Sequence, residues 1–301
     1  MPRLAALLLA ILSAAQVCAA QEFTAAEAEA YLEEFTPQCD QGDAIACYNQ
    51  AYVLHNAAPP AQDLKQARTY YLRACGQTVG LACAQYGDLL VKGLGGPQDW
   101  IGARDVYKVG CDLDTPEACQ GYGLAILTAG DGQQERDAAL PALKKACEGG
   151  MTKACYHYGG LHSPDGTQTP DMGIAKDYMT RACDGGLARG CYALGVWIWD
   201  GSDPSGTLSM ARQLFKSACE GDLGKGCYNY GVTLDEGKGG AVDDAGARTY
   251  YKKACDLDVA DGCNNYSYML QVGEGGAQDR AAAQPFMDKA CRLDPSRAGC
   301  F

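Results

Sequence analysis

The sequence predicts an all-α solenoid built from a 36-residue, two-helix repeat, and two series of cysteines are the main reason. One series places a cysteine every 36 residues from Cys39 to Cys291, and the other does so from Cys47 to Cys263. Only the last cysteine, Cys300, is one residue out of phase. Self-similarity at a fixed period of this size is typical of repeat architectures, in which stacked neighbours share a continuous core.

Short sequence signatures recur with the same period. An aromatic and basic segment precedes the first cysteine of a pair, as in TYYKKAC at 249–255. A tyrosine and a glycine follow the second cysteine, as at Tyr230 and Gly231. A glycine-rich turn, as at 237–240, lies between the Tyr-Gly pair of one repeat and the aromatic and basic segment that follows it. The period is therefore a property of the whole chain and not of its cysteines alone.

Each repeat is predicted to contain two helices. Helix A starts near the second cysteine, and its apolar residues recur at helical spacing, as at Tyr86, Leu89 and Leu90. The glycine cluster ends helix A, and helix B ends at the next first cysteine. Helix B begins near an acidic residue that is well placed to cap it: Asp99, Asp171 and Asp243.

A glycine recurs inside helix A, where glycine costs about 1 kcal/mol relative to alanine. Its recurrence at one register predicts a structural role, namely that it lets a neighbouring helix approach closely. The positions are Gly87, Gly123, Gly159, Gly195 and Gly231.

The repeat register divides the chain into four segments. We expect a signal peptide at 1–20, an N-terminal capping helix within 21–46 that aligns with helix B alone, seven repeats over 47–298, and a short C-terminal end at 299–301. Terminal units of this kind close the ends of a solenoid core.

The N-terminus has the features of an export signal. Arg3 precedes an apolar stretch at 4–12, and small residues lead to a cleavage site before Gln21. The stretch is too short to span a bilayer, and Val17 before Cys18 does not fit a lipidation signal. We therefore expect a secreted or periplasmic protein with no membrane span.

The charge narrows the classes of partner. Asp and Glu number 37 against 25 Lys and Arg, which makes the formal net charge −12. Nucleic acids and anionic membrane surfaces require a basic face, so neither is expected as the main partner. Three histidines are few for a metalloenzyme, and the sequence predicts neither a metal nor another cofactor.

Two disulfide pairings fit the cysteine spacing. Local pairing would join Cys75 to Cys83 across the turn between repeats, whereas intra-unit pairing would join Cys47 to Cys75. Without Cys18, which leaves with the signal, local pairing uses all sixteen cysteines, while intra-unit pairing leaves Cys39 over. Local pairing is favoured, although connectivity does not follow strictly from sequence. The local pairs would be Cys39–Cys47, Cys75–Cys83, Cys111–Cys119, Cys147–Cys155, Cys183–Cys191, Cys219–Cys227, Cys255–Cys263 and Cys291–Cys300.

Once aligned, the repeat resembles the Sel1-like repeat through the Tyr-Tyr-x-Lys-Ala-Cys segment, the Gly-x-Gly turn and the Tyr-Gly pair. The cysteine pair in every unit is similar to that of the Helicobacter cysteine-rich proteins. The resemblance implies a right-handed, TPR-like α/α superhelix with local disulfides and export. It also implies two functions: an adaptor for other proteins, or a penicillin-binding protein with slow β-lactamase activity.

No catalytic motif supports the hydrolase. No serine is followed three residues later by lysine, as S-x-x-K requires. Ser202 and Asp203 precede Pro204 where S-D-N needs Asn, and 238–240 is a repeat turn and not K-T-G. The sequence leaves open whether the protein is an enzyme and favours a protein without enzymatic activity. A β-lactam or a peptidoglycan-related molecule would be the ligand under the hydrolase alternative.

The binding hypothesis rests on one helix A register, two residues after each second cysteine. Five of its seven residues can form hydrogen bonds, while Gly121 and Ala193 cannot. In stacked hairpins helix A lines the concave face, so the five could bind the backbone of a protein or peptide. Alternatively, they are solvated residues near helix starts, where Asn is common. This ladder comprises Asn49, Gln85, His157, Asn229 and Asn265.

Two histidines and a set of recurring tyrosines are not expected to bind a metal or take part in catalysis. His157 and His162 are five residues apart, off one helical face, and are expected to be polar surface or groove residues. Recurring tyrosines share the apolar register and are expected in the core. These are Tyr86, Tyr122, Tyr158, Tyr230 and Tyr266.

Overall fold

The structure is a computed structural model that describes residues 23–130, 132–164, 166 and 170–296. Within these residues it contains fifteen α-helices, and its extended pairing is an isolated β-bridge between Phe23 and Ala57. The predicted signal peptide, Cys300 and the C-terminal end lie outside the described residues. The predicted all-α repeat fold is confirmed.

Odd-numbered helices correspond to the N-terminal capping helix and to helix B. They are α1 (Ala25–Asp40), α3 (Leu64–Cys75), α5 (Trp100–Asp112), α7 (Gln133–Glu148), α9 (Met172–Asp184), α11 (Leu208–Glu220), α13 (Asp244–Asp256) and α15 (Arg280–Leu293). Even-numbered helices correspond to helix A. They are α2 (Ala44–Asn56), α4 (Gly80–Lys92), α6 (Pro116–Ala129), α8 (Thr152–Leu161), α10 (Ala188–Trp199), α12 (Gly224–Asp235) and α14 (Ala260–Val272).

The chain divides into two compact units, one at 1–130 and the other at 131–301. In the first unit each helix from α1 to α6 packs on the next one along the chain. In the second unit the same holds from α7 to α15. Each unit is therefore a stack of helical hairpins, which is how a two-helix repeat buries an apolar face that it cannot bury alone.

Aspartates cap helix B as predicted. The carboxylates of Asp99, Asp171 and Asp243 accept hydrogen bonds from the backbone N–H three residues later, at 2.8, 3.0 and 2.9 Å. Asp63 and Asp279 do the same at 2.9 Å. Such a cap typically stabilises a helix by about 1 kcal/mol.

The turn from helix B to the next helix A has one left-handed residue in every repeat, three positions after the first cysteine. Four of these residues carry a side chain, although positive φ is costly for residues other than glycine. A backbone hydrogen bond from the next residue closes the helix end, as from Val79 N–H to the Ala74 carbonyl at 3.1 Å. The left-handed residues are Gly42, Thr78, Asp114, Gly150, Gly186, Asp222 and Asp258.

Among the described residues seven disulfides span this turn, and all seven have the local pairing. Their Cα–Cα distances lie between 4.3 and 4.7 Å, for example 4.7 Å for Cys75–Cys83. In the chain-entropy model a loop of nine residues contributes about 2.5 kcal/mol. The bridges join Cys39–Cys47, Cys75–Cys83, Cys111–Cys119, Cys147–Cys155, Cys183–Cys191, Cys219–Cys227 and Cys255–Cys263.

The glycine turn after helix A packs against the preceding helix B. Gly239 has φ +76°, and a Cβ there would lie 2.3 Å from the Leu208 carbonyl oxygen. The Arg212 guanidinium donates to the Ala241 carbonyl at 3.0 Å, which joins two successive repeats. Arg68 makes the equivalent bond to the Pro97 carbonyl at 3.1 Å. This inter-repeat clamp links residues 29 positions apart.

Candidate functional site

All seven positions of the ladder register are half-buried, in both units. Each lies in the first turns of an even-numbered helix, two residues after a buried cysteine, so the disulfide fixes its backbone. Half-burial leaves the five polar side chains among them accessible to a partner while neighbouring helices restrict their rotamers. The positions are Asn49, Gln85, Gly121, His157, Ala193, Asn229 and Asn265.

Two ladder amides lie next to tyrosine hydroxyls. The Asn229 side chain faces the hydroxyl of Tyr192 on α10, and the Asn265 side chain faces that of Tyr251 on α13. Burial raises the pKa of Tyr192, and the Asn229 amide opposes this shift. A carboxamide has two donors and two acceptor lone pairs, so each amide has capacity for a ligand beyond this internal contact.

The tyrosine partners were missed by the sequence analysis. Tyr192 lies one residue after a second cysteine, and the same position is tyrosine at Tyr48, Tyr156 and Tyr228. This recurrence was a visible signal. Which amide a hydroxyl would reach depends on the stacking distance between repeats, and that distance is absent from the sequence.

Hydroxyls of buried tyrosines on helix B also bind side chains of helix A. Tyr251 donates to Asp235 Oδ2 at 2.9 Å, and Tyr107 donates to Asp88 Oδ1 at 2.5 Å. Burial raises the pKa of both tyrosines, and the carboxylate partner adds to the shift. Both phenols are therefore neutral and serve as structural donors.

His157 on α8 and His162 directly after α8 lie in different environments. Burial lowers the pKa of His157, and Arg189 and Lys153 lower it further, so this ladder residue is neutral at pH 7. The ring of His162 lies 4.7 Å from that of Tyr158, edge to face, and both its ring nitrogens are buried. The expectation that both histidines are polar surface or groove residues is therefore wrong for the His162 ring.

The recurring tyrosines are closer to the surface than expected. Tyr158 is buried at 8% exposure. The other four are only partly buried and pack against the core clusters from outside: Tyr86, Tyr122, Tyr230 and Tyr266. The apolar register was predicted correctly, but the hydroxyl end of the side chain keeps these residues near solvent.

Three carboxylates meet at the glycine-turn edge of the second unit. Oxygen atoms of Asp235, Asp244 and Glu274 all lie within 4.8 Å of one another. Exposed acidic groups are common without an ion, and nothing further here indicates a metal.

A serine, a lysine and a buried aspartate also meet in the second unit. Lys176 Nζ donates to Ser205 Oγ at 2.7 Å and lies 2.6 Å from Asp203 Oδ2, while Ser205 Oγ donates to Asp203 Oδ1. Lys176 occupies the register of Arg212, and Ser205 lies 29 residues after it. The contact is therefore a variant of the inter-repeat clamp.

This trio lacks the surroundings of an activated serine. The Ser205 N–H donates to Asp203 Oδ1 at 3.0 Å, and the Gly206 N–H donates to the Asp203 carbonyl at 3.3 Å. Neither amide therefore faces an oxyanion position, as acyl transfer requires. Hydrogen bonds from Lys176 and Ser205 lower the pKa of Asp203.

The fold and its bridges define the protein as a disulfide-linked α/α repeat protein. Seven disulfides are typical of proteins in oxidising, extracytoplasmic compartments. Across the described residues, helices that combine the length and the apolar character of a membrane span are not found.

The chain belongs to the Sel1 repeat family. The Sel1 repeat model matches well over half of it, at residues 44–78, 80–100, 152–187, 188–223, 224–259 and 260–295. No curated protein matches the chain significantly.

Solved structures that are similar to this chain come from several bacteria. The chain is 18% identical to c5321, a protective antigen of uropathogenic Escherichia coli, with a TM-score of 0.78; the match covers 89% of this chain and 60% of that one. The chain thus spans about three fifths of that relative's length. A Sel1 repeat protein from Oxalobacter formigenes is 21% identical, with a TM-score of 0.64 and coverages of 76% and 92%. Cysteine-rich protein B of Helicobacter pylori is 32% identical, with coverages of 40% and 86% and a TM-score of 0.33.

Proposed function

We propose that this protein is an exported interaction scaffold that binds a protein or peptide through the ladder. The observation that supports it most is the ladder's uniform half-burial at a 36-residue spacing. The proposal includes a secreted or periplasmic location after removal of residues 1–20, which agrees with the oxidised cysteines.

The rigidity of each unit favours binding by a preformed surface. A bridge at each described turn and an aspartate cap on most B helices restrict the motion of the helices that present the ladder. A preorganised surface loses less conformational entropy on binding, so more of the contact energy contributes to affinity.

The amide chemistry suits a main-chain ligand. Asn229 and Asn265 each face one tyrosine hydroxyl, and the donors and acceptors of their carboxamides match the N–H and C=O groups of a peptide. Within one unit, amides from successive repeats could bind peptide groups several residues apart in an extended ligand, because packed helices are about 8–10 Å apart and an extended chain advances about 3.3 Å per residue.

The test is capture from a periplasmic extract by the oxidised protein carrying Asn229→Ala and Asn265→Ala. We expect capture to weaken at least fivefold. Gln213→Ala on the exposed face of α11 is the matched control and should capture as the wild type does. Tyr192→Phe removes the hydroxyl that faces Asn229 but keeps the amide, so it reports the structural part of the effect. Unchanged capture by the double variant would refute the ladder assignment.

Slow β-lactam hydrolysis is the second candidate, and the contact of Ser205 with Lys176 is the observation that bears on it. Purified protein would be incubated with a chromogenic cephalosporin. Turnover that Ser205→Ala abolishes and Ser202→Ala preserves would favour the enzyme, whereas the clamp interpretation predicts no turnover in any of the three proteins. Turnover lost only with a chelator would indicate a metal-dependent activity.

A further inference from the structure

Helix α14 exposes two large apolar side chains one turn apart. Tyr268 is 56% exposed and Val272 is 48% exposed. With Asn265 of the ladder they form positions i, i+3 and i+7, which share one face of a helix. This stripe of Asn265, Tyr268 and Val272 is about 10 Å long at 1.5 Å per residue.

The stripe differs from the same register in the two preceding A helices, α10 and α12. Where Tyr268 stands, α10 and α12 have Val196 and Val232, which are half-buried. Where Val272 stands, they have the exposed acidic residues Asp200 and Glu236. In α14 an exposed tyrosine therefore takes the place of a half-buried valine, and an exposed valine takes the place of an acidic residue. Both changes expose apolar surface to solvent. Such surface is typical of binding sites.

The negative charge next to the stripe indicates that a partner would carry a positive charge. Helix α14 ends at Val272, and Glu274 follows after the left-handed Gly273. Glu274 lies in the carboxylate cluster with Asp235 and Asp244. The helix C-terminus adds a partial negative charge at the same place. Arg248, whose guanidinium donates to the Glu274 and Ala277 carbonyls, offsets the cluster only in part.

We propose that the stripe and the carboxylate cluster together bind a protein segment that has an aliphatic or aromatic residue followed by Lys or Arg. The proposal rests on the proposed scaffold function and assigns the chemistry of its partner. At about 3.3 Å per residue, three or four residues of extended chain span the stripe. The apolar residue would cover Tyr268 and Val272, and the basic residue would reach the carboxylates or stack on the Tyr268 ring.

The experiment starts by selecting binders to the full oxidised chain from a random dodecapeptide library. We expect enriched peptides to carry Lys or Arg within four residues of Leu, Phe or Tyr. The affinity of one enriched peptide, labelled with a fluorophore, would then be measured by anisotropy for the wild type and the variants.

Three variants test the two parts of the surface. Tyr268→Ser with Val272→Ser should weaken binding at least tenfold. Leu208→Ser with Met210→Ser removes a comparable exposed pair elsewhere in the second unit, at 41% and 48% exposure, and should leave the affinity within twofold. Asp244→Asn with Glu274→Gln keeps the bond between Tyr251 and Asp235. It should weaken binding at low salt and flatten its salt dependence.

Several outcomes would overturn this inference. Binding that survives the loss of the stripe but is lost with Asn49→Ala and Gln85→Ala would refute the stripe and keep the ladder. Enrichment of acidic or uncharged peptides would refute the charge assignment. Stoichiometric Ca²⁺ binding that displaces the peptide would make the carboxylates a cation site, and a dimer abolished by the stripe variant would make a second copy the occupant. If no peptide is enriched and no partner is captured, both proposals fail.

Discussion

The ring of Tyr107 occupies the space that the missing side chain of Gly87 leaves open. A Cβ on Gly87 would lie 2.5 Å from Cε1 of this ring, and one on Gly121 would lie equally close. The glycine inside helix A therefore admits an aromatic side chain from helix B, beyond the close helix approach that the sequence predicts. Gly231 has the same relation to Tyr251, with a Cβ-to-ring distance of 2.8 Å.

Gly87→Ala should therefore destabilise the first unit. Overpacking against the buried ring typically costs about 1–3 kcal/mol, which exceeds the gain of about 1 kcal/mol in helix propensity. Urea unfolding followed by circular dichroism would measure the difference.

Gly160→Ala is the control, because Gly160 is also a helical glycine, in the last turn of α8, but its Cβ would meet only Met179 Cε at 3.7 Å. It should stabilise the protein slightly. Equal stabilisation by both substitutions would show that the ring of Tyr107 moves away at little cost.

The period made most of the fold predictable. A cysteine every 36 residues located the turns, and the aspartates Asp99, Asp171 and Asp243 located the starts of helix B. These features are local, since a cap or a turn depends on residues within about five positions. Local pairing such as Cys75–Cys83 is favoured by the sequence over intra-unit pairing, and the structure has it.

Contacts between repeats were not predictable in the same way. The sequence alone gives no sign that Arg212 has a distant partner, yet its guanidinium donates to a carbonyl 29 residues away. The contact between Asn229 and Tyr192 and the hydrogen bond of Lys176 to Ser205 also join successive repeats. Such contacts depend on how far one hairpin is displaced from the next, and the period alone does not contain that distance.

The clamp gives a second prediction. Arg212→Ala should lower the free energy of unfolding by about 1–2 kcal/mol, since it removes a charge-assisted hydrogen bond at a repeat junction. Arg104→Ala should change it by less than about 0.5 kcal/mol, because exposed Arg104 pairs only with the adjacent Asp105. Chemical denaturation of both variants would measure this, and equal effects would contradict the structural role of the clamp.

The left-handed turn residue gives a third prediction. Thr78 has φ +70° and is exposed, so its side chain contributes strain and little packing. The left-handed region costs a residue with a Cβ about 1–2 kcal/mol, and glycine would recover part of that. Thr78→Gly should raise the free energy of unfolding by up to about 1 kcal/mol.

Gly150→Thr provides the reverse substitution at the equivalent position, where φ is +91° and no atom lies within 4 Å of an added Cβ. It should destabilise the protein through backbone strain alone. Thermal melts would compare the two. A loss of stability in Thr78→Gly would mean that the threonine stabilises the turn by a contact stronger than its strain.

Acidification gives the last prediction, and it depends on two histidines. Burial lowers the pKa of His55, with Lys92 adding to the shift, and burial likewise lowers the pKa of His157. Below pH about 6.5 the unfolded chain gains protons at these residues, while the folded protein gains them only at lower pH. The free energy of unfolding should therefore fall between pH 7 and pH 5, by at most about 1.4 kcal/mol per pH unit for each histidine. Carboxylates with lowered pKa values, such as Asp203, affect stability only at more acidic pH.

His55→Gln with His157→Gln should flatten the pH dependence of the free energy of unfolding between pH 7 and pH 5. Urea unfolding at each pH would measure it. An unchanged slope would show that both imidazoles titrate in the folded state as they do in the unfolded chain.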